Sequence, residues 1–322
     1  MPDMPIGNPQ GQISSHEVNR EMNNTNNADT ELLQDGEKIV LKNKEGLSRE
    51  EIADATKIKV TISNPDAPIV VFFGPFSCGK TMILVRLTRY LKKQGYTVEL
   101  DPSFRPSYDS VYKKLCDNFD TLVNSNNAAK QTSRVNFMLA RVKSDTGKTV
   151  CQILEGPGES YFLPEAPMSD FPPYVHQINN GNNRKIWAII VEPGNTNDRM
   201  DEVARRNYVS KINKLRTMMG PRDKAVFVFN KIDESGFVIK KGQVNMKEAE
   251  KGVDYLYPSI FAKFKNASPF ASIGITKQYD CDFIPFQTGN FNEAADGSWS
   301  YTEGPDCFPE QLWKTILKRI GG

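Results

Sequence analysis

Ile69-Val70-Val71-Phe72-Phe73 runs straight into Gly74-Pro75-Phe76-Ser77-Cys78-Gly79-Lys80-Thr81. A helical pattern, Met82-Ile83-Leu84-Val85-Arg86-Leu87 and onward to Lys93, follows at once. Five apolar residues in a row read as a buried strand, and the next eight fit G-x-x-x-x-G-K-[ST]. Strand, glycine loop and helix is the context in which that pattern forms a phosphate cradle. Gly74 and Gly79 let the backbone curl without a Cβ clash, so successive N–H groups of the loop point inward. The new helix adds its positive end beneath them, and Met82 in its first turn is counted with the loop. Lys80 carries a point charge to the β- and γ-phosphates, and the Thr81 hydroxyl is placed to bind a bridging Mg²⁺. Residue types and spacing thus point to a nucleoside triphosphate site formed by Gly74 through Met82.

Outward from this motif, the bulk properties exclude more than they select. The chain has 322 residues, room for one large α/β domain or two small ones. Its 41 basic and 39 acidic residues leave a net charge of +2, so no global field draws it to nucleic acid. The longest apolar runs, such as Ile186 to Val191, have strand length, and no membrane span is expected. No basic start followed by an apolar core marks a secretory signal. The five cysteines, Cys78, Cys116, Cys151, Cys281 and Cys307, are odd in number and form no C-x-x-C pair. They suggest neither a disulfide framework nor a zinc site and fit a cytoplasmic setting. Only His16 and His176 are present, which argues against a histidine metal site or catalytic triad.

Residues 1–35 are rich in Asn, Pro, Gly and acids and are expected to be disordered. A lead-in over 36–66 follows, with Lys38–Leu41 and Lys57–Ile62 as short strands and a capped helix start at Ser48-Arg49-Glu50-Glu51. The main domain is expected over 67–322, with insertions at about 96–131 and 234–278. Tyr96–Leu100 reads as a strand and Ser107–Leu122 as a helix. Arg134–Val142 and Val150–Leu154 flank Ser144-Asp145-Thr146-Gly147-Lys148, the signature of an antiparallel hairpin. Ile186–Val191 and Ala225–Phe229 are strands around a long helix, Arg199–Met219. Met246–Lys265 is helical, Cys281–Phe286 is the last strand, and Phe308–Ile320 is an amphipathic final helix. Strands alternating with helices imply an α/β three-layer sandwich, its sheet mostly parallel with one antiparallel strand from the hairpin.

Asn230-Lys231-Ile232-Asp233 closes the apolar strand Val226-Phe227-Val228-Phe229. A carboxylate at Asp233 accepts from both N1–H and the exocyclic amine of guanine, two donors that adenine does not offer there. Sites built on such pairs reject the wrong ligand by roughly 10⁴ or more. Asn230 would tie this loop to the phosphate loop, and the Lys231 stem would cover the base. The plain alternative is a polar turn at a strand end.

With both motifs in place, Ile69 to Ile320 resembles the P-loop GTPases of the translation-factor and Ras-like class, which bind GTP and GDP with Mg²⁺. The family's D-x-x-G motif is altered here to Glu155-Gly156-Pro157-Gly158. By resemblance, Glu155 joins Thr81 as a metal residue and the Gly158 N–H senses the γ-phosphate. Glu159 stands where the Ras-like branch orients water with a Gln, so it is a catalytic candidate beside Lys80. The family's Mg²⁺-covering threonine is assigned to Thr132, 23 residues before Glu155. The family's last motif, a short turn against the base, is barely present as Gln287-Thr288-Gly289.

The resemblance implies a slow GTP hydrolase acting as a cytoplasmic molecular switch. It also leaves alternatives open. Leu91 through Pro106 is similar to the region after the first helix in signal-recognition-particle-type GTPases, where an extra parallel strand would carry Asp101 to the γ-phosphate. Bacterial double-GTPase-type families share the composite character. A nucleotide-binding regulatory module with little turnover, or an ATPase relative, also fits the phosphate loop. The apolar, proline-rich segment 159–183 is the expected contact for a protein effector.

Overall fold

The computed structural model describes residues 47–54, 57–124, 137–163, 166, 169–194, 200–266, 268, 278–293 and 299–321. All of them lie in the larger of two units into which the chain divides, residues 42–322. The tail expected at 1–35, the strand expected at Lys38–Leu41, and Thr132 fall outside the described residues.

Helix α1 (Arg49–Ala53) opens on the anticipated reciprocal cap. The Ser48 hydroxyl accepts from the Glu51 N–H at 3.2 Å, and the Glu51 carboxylate accepts from the Ser48 N–H at 2.8 Å. The strand expected over Lys57–Ile62 does not form. Ile58 and Val60 alternate inward as strand residues would, but the backbone there makes an irregular contact, Thr61 N–H to the Phe104 carbonyl at 2.9 Å. Strand β1 (Ile69–Phe73) and helix α2 (Lys80–Lys93) flank the glycine loop. Strand β2 (Thr97–Leu100) follows, then helix α3 (Ser110–Asn124). That helix starts three residues later than expected, where the Asp109 carboxylate accepts from the Tyr112 N–H at 2.9 Å.

The hairpin is β3 (Met138–Lys143) and β4 (Thr149–Glu155). Its turn is closed by Ser144 N–H to Lys148 C=O at 2.9 Å, with Gly147 at φ 78°. A short helix α4 (Gly158–Tyr161) and α5 (Pro173–Asn180) lead to β5 (Lys185–Val191). Helix α6 (Glu202–Met218) starts at Asp201, whose side chain accepts from the Ala204 N–H at 2.7 Å, and β6 (Lys224–Phe229) follows. A small hairpin, β7 (Val238–Lys240) with β8 (Gln243–Val244), precedes helix α7 (Met246–Leu256). The helix expected to run to Lys265 stops there because Pro258 lacks an N–H and restricts Tyr257 before it. Strand β9 (Cys281–Pro285), a second hairpin of β10 (Gly289–Glu293) and β11 (Trp299–Glu303), and helix α8 (Cys307–Gly321) complete the chain.

Seven strands form one sheet in the order β2-β3-β4-β1-β5-β6-β9. The pairs β4–β1, β1–β5, β5–β6 and β6–β9 are parallel, while β2–β3 and β3–β4 are antiparallel. Strand β3 therefore runs against the other six, as the hairpin reading required. Every residue of β1 and β5 is buried, so helices cover both faces and the architecture is the three-layer sandwich of P-loop NTPases. Tyr208 of α6 stacks on Phe73 at 6.1 Å, and α2 packs against both α3 and α8.

This topology removes the signal-recognition-particle-type alternative. The extra strand β2 lies at the edge, separated from β1 by β3 and β4, and pairs antiparallel rather than parallel. Asp101 at its end is buried and bonded to Ser63 and to the Ser103 N–H (3.0 Å) and hydroxyl (2.7 Å). It holds a turn at the sheet edge and has no place at the phosphate loop.

Candidate functional site

The glycine loop leaves β1 at the middle of the sheet and enters α2 at Lys80. Gly79 sits at φ 86°, which an L side chain rarely adopts, and a Cβ there would lie 2.4 Å from Asn230 Nδ2. Ser77 also takes a left-handed conformation, φ 61°, as the loop curls. Successive turns of this kind bring neighbouring N–H groups to one side, the geometry of an anion nest. Lys80 is buried at the loop, its ammonium donating to the Gly74 and Pro75 carbonyls at 3.1 and 2.9 Å. Cys78 is buried, and desolvation pushes its thiol up, so it fills space as a neutral group. Met82 occupies the first turn of α2.

Parallel pairing sets Phe72 opposite Glu155, which delivers the end of β4 to the start of the loop. The Thr81 hydroxyl donates to Glu155 Oε1. Glu155 is 1% exposed, and its other oxygen, Oε2, has no hydrogen-bond partner among the described residues. Burial raises its carboxyl to about 7, against the pull of the Thr81 hydrogen bond and the Lys80 charge. A carboxylate with an unsatisfied buried oxygen beside a threonine hydroxyl fits a hard divalent cation. Among the described residues no group of three or more His, Cys, Asp or Glu is placed to hold a metal. Mg²⁺ does not need one, since it takes one or two protein oxygens, phosphates and water.

Gly158 lies directly on the loop backbone. A Cβ there would come within 2.4 Å of Phe76 N and 2.6 Å of the Pro75 carbonyl carbon. Gly158 and the glycine loop are therefore in contact, and only a glycine permits it. Gly156 is similarly confined, with the Tyr161 and Tyr174 hydroxyls each 2.6 Å from where its Cβ would be.

Asn230, buried at the end of β6, donates from Nδ2 to the Cys78 carbonyl at 2.8 Å. This is the expected tie between the two loops. Lys231 follows in a left-handed conformation, φ 54°, and its ammonium pairs with Glu192 at 3.0 Å. Glu192, just past β5, was not singled out from the sequence. Its signal there was an acid directly after a wholly apolar strand. Asp233 lies in the short 3₁₀ turn Ile232–Glu234. Desolvation raises its carboxyl, and a hydrogen bond from the Gln287 side chain acts in the other direction. Gln287, in the turn the sequence supported only weakly, is thus a neighbour of Asp233.

Two predicted residues are not brought into this picture. Thr132 is outside the described residues, and Glu159 is seen only as part of the α4 backbone. Much of the segment over 159–183 is packed inward. Tyr161, Phe162, Phe171, Tyr174, Val175 and Ile178 are all buried, and Lys211 of α6 donates to the Ser169 carbonyl at 2.5 Å. No helix among the described residues is long and apolar enough to cross a membrane.

No protein-family profile matches the sequence, and a search of curated proteins finds no significant match. Solved structures similar to the chain include one described as nucleolar GTP-binding protein 1 from Plasmodium falciparum. Its TM-score is 0.39 at 11% identity, covering 82% of this chain and 90% of that one. The GTPase-like domain of Ski7 from S. cerevisiae, bound to GDP and inorganic phosphate, scores 0.38 at 13% identity over 83% of this chain and 52% of that one. Elongation factor SelB from Methanococcus maripaludis, with a GTP analogue, scores 0.34 at 11% identity over 80% and 34%. The chain thus spans about half of the Ski7 chain and a third of the SelB chain. Likenesses this distant fix neither ligand nor activity. The strand order around β1, the glycine loop feeding α2 and the Asn230–Cys78 tie stand on their own geometry, and they give this chain the fold of the P-loop GTPases.

Proposed function

We propose that this protein binds GTP and GDP and hydrolyses GTP slowly, as a cytoplasmic switch. The observation that carries the reading is the 2.8 Å bond from Asn230 to the Cys78 carbonyl. It joins a loop shaped for phosphates to a loop carrying an acid suited to guanine, so one ligand can meet both.

In this reading the loop N–H groups and the start of α2 bind the phosphates, and Lys80 places its ammonium against the β- and γ-oxygens. Thr81 and Glu155 would hold Mg²⁺, which when bound neutralises charge on the phosphate oxygens. Gly158 offers its N–H to the γ-phosphate, Asp233 accepts from the guanine edge, and the Lys231 stem lies along the base. Water attacks in line with the γ-phosphate. Thr132 and Glu159 are the residues proposed to orient it, Thr132 also completing the metal shell. No arginine of the chain is assigned to the γ-phosphate, which fits a slow intrinsic rate. A protein effector reading the state of the site would meet the exposed parts of 159–183, next to the sensor glycine.

Titration of the purified protein with GTP, GDP and ATP in Mg²⁺, followed by a phosphate-release assay, tests this. Guanine nucleotides are expected to bind in preference to ATP, with slow release of phosphate. Tight GTP binding without release selects the regulatory module. Equal binding of ATP removes the guanine reading.

A further inference from the structure

Arg86 is fully buried in the middle of α2, although it takes no part in the cradle. Its guanidinium donates to the Gly304 carbonyl at 2.9 Å, pairs with Asp306, and lies 3.3 Å from Glu303. Burying an arginine is costly unless it is paired and hydrogen-bonded, and these three partners offset part of that cost. All three lie at the end of the β10–β11 hairpin, an element inserted between β9 and α8.

That hairpin returns to the base-reading turn. The Gly304 N–H donates to the Thr288 carbonyl at 3.1 Å, and the Tyr301 hydroxyl donates to the same carbonyl at 2.7 Å. A Cβ on Gly304 would stand 3.1 Å from the Gln287 carbonyl, so the hairpin's foot lies against Gln287 itself. Arg89, one turn along α2, holds Glu303 at 3.2 Å and lies over the Tyr301 ring at 5.2 Å. The Gln287 side chain in turn faces Asp233 and favours its charged form. The path from α2 to Asp233 thus runs between neighbours: Arg86 to Gly304, Gly304 to Thr288, along the chain to Gln287, and from there to Asp233.

We propose that Arg86 is a positioning residue for base selection, using the β10–β11 hairpin to hold Gln287, and through it Asp233, in register with the helix that carries Lys80. The inference rests on the guanine reading above. The Tyr301 hydroxyl anchors the short turn Gln287–Thr288 from the hairpin side, and Arg86 fixes the hairpin to which Tyr301 belongs. Loosening the hairpin then loosens the acid that reads the base while leaving the phosphate loop intact.

The experiment compares GTP with ITP, whose base lacks the exocyclic amine that Asp233 would accept. Affinities of both, and of ATP, are measured by competition for the parent, Arg86→Lys and Tyr301→Phe. The parent should prefer GTP over ITP by about tenfold, the worth of one hydrogen bond to a charged group. Both variants should lose roughly threefold or more of that ratio, because the register of Asp233 matters to GTP more than to ITP. A purely structural role would weaken the two nucleotides alike and leave the ratio unchanged, which overturns the proposal. Tyr301→Phe removes one hydroxyl and keeps the ring, so it decides the matter if Arg86→Lys does not fold. A parent that binds ATP as tightly as GTP overturns the guanine reading and this inference with it. A parent that discriminates normally beside variants with the same ratio overturns this inference alone.

Discussion

In the proposed function Lys80 and Asp233 divide the work of the site, and single substitutions separate them. Lys80→Ala deletes a charge held by two loop carbonyls and little core volume. Triphosphate affinity should fall at least tenfold while the melting temperature changes little, as read by titration calorimetry beside a thermal scan. A variant that binds GTP like the parent would remove the cradle assignment. Asp233→Asn exchanges an acceptor pair for one acceptor and one donor. The amide suits the oxygen that replaces the amine in xanthine, so preference should move from GTP toward xanthosine triphosphate in a competition assay. An unchanged preference would mean that Asp233 does not read the base. Both residues stand out in the sequence because their motifs depend on local spacing. Glu192 did not stand out, since its partner Lys231 is reached only through the fold, and Gln287 was marked only weakly, as part of the turn Gln287-Thr288-Gly289.

At the level of elements, continuous apolar runs located β1, β5 and β6, where both faces are buried and period carries no information. Helix ends were less legible because they depend on single side chains. Helix α6 shows this, starting where Asp201 caps it with a 2.7 Å bond to Ala204 N–H. Asp201→Ala should cost about 1 kcal/mol in a denaturant titration, with nucleotide affinity unchanged. A loss well below that value would show the cap to be dispensable. The two small hairpins escaped notice for a different reason. The β7–β8 hairpin has only three and two residues in its strands and all of β7 is exposed, so no apolar pattern marks it. Lys57–Ile62 erred the other way, because Ile58 and Val60 alternate like a strand and pack on the core without a ladder.

For the whole molecule, Glu155 makes stability depend on pH. Its carboxyl stands at about 7 in the folded protein against 4.5 for the free group. Between those values the folded state keeps a proton that the unfolded chain has released, so stability is highest below the lower value. It declines as pH rises through 7, by about 3 kcal/mol in total for a group this deeply buried. In a metal chelator the melting temperature should therefore be lower at pH 8 than at pH 6, and Glu155→Gln should remove most of that difference. A parent and variant with parallel pH profiles would show that Glu155 is not the group responsible. Mg²⁺ should restore stability to the parent at pH 8 and do little for the variant. The outer strand β2 has a consequence of another kind. A sheet that ended at β3 would offer that strand's unpaired backbone to any extended peptide. Here β2 covers it, and Glu99 binds Arg141 and Lys143 across the seam at 2.7 and 2.6 Å. A partner that docks by adding a strand on this side would find only four residues of backbone to pair with.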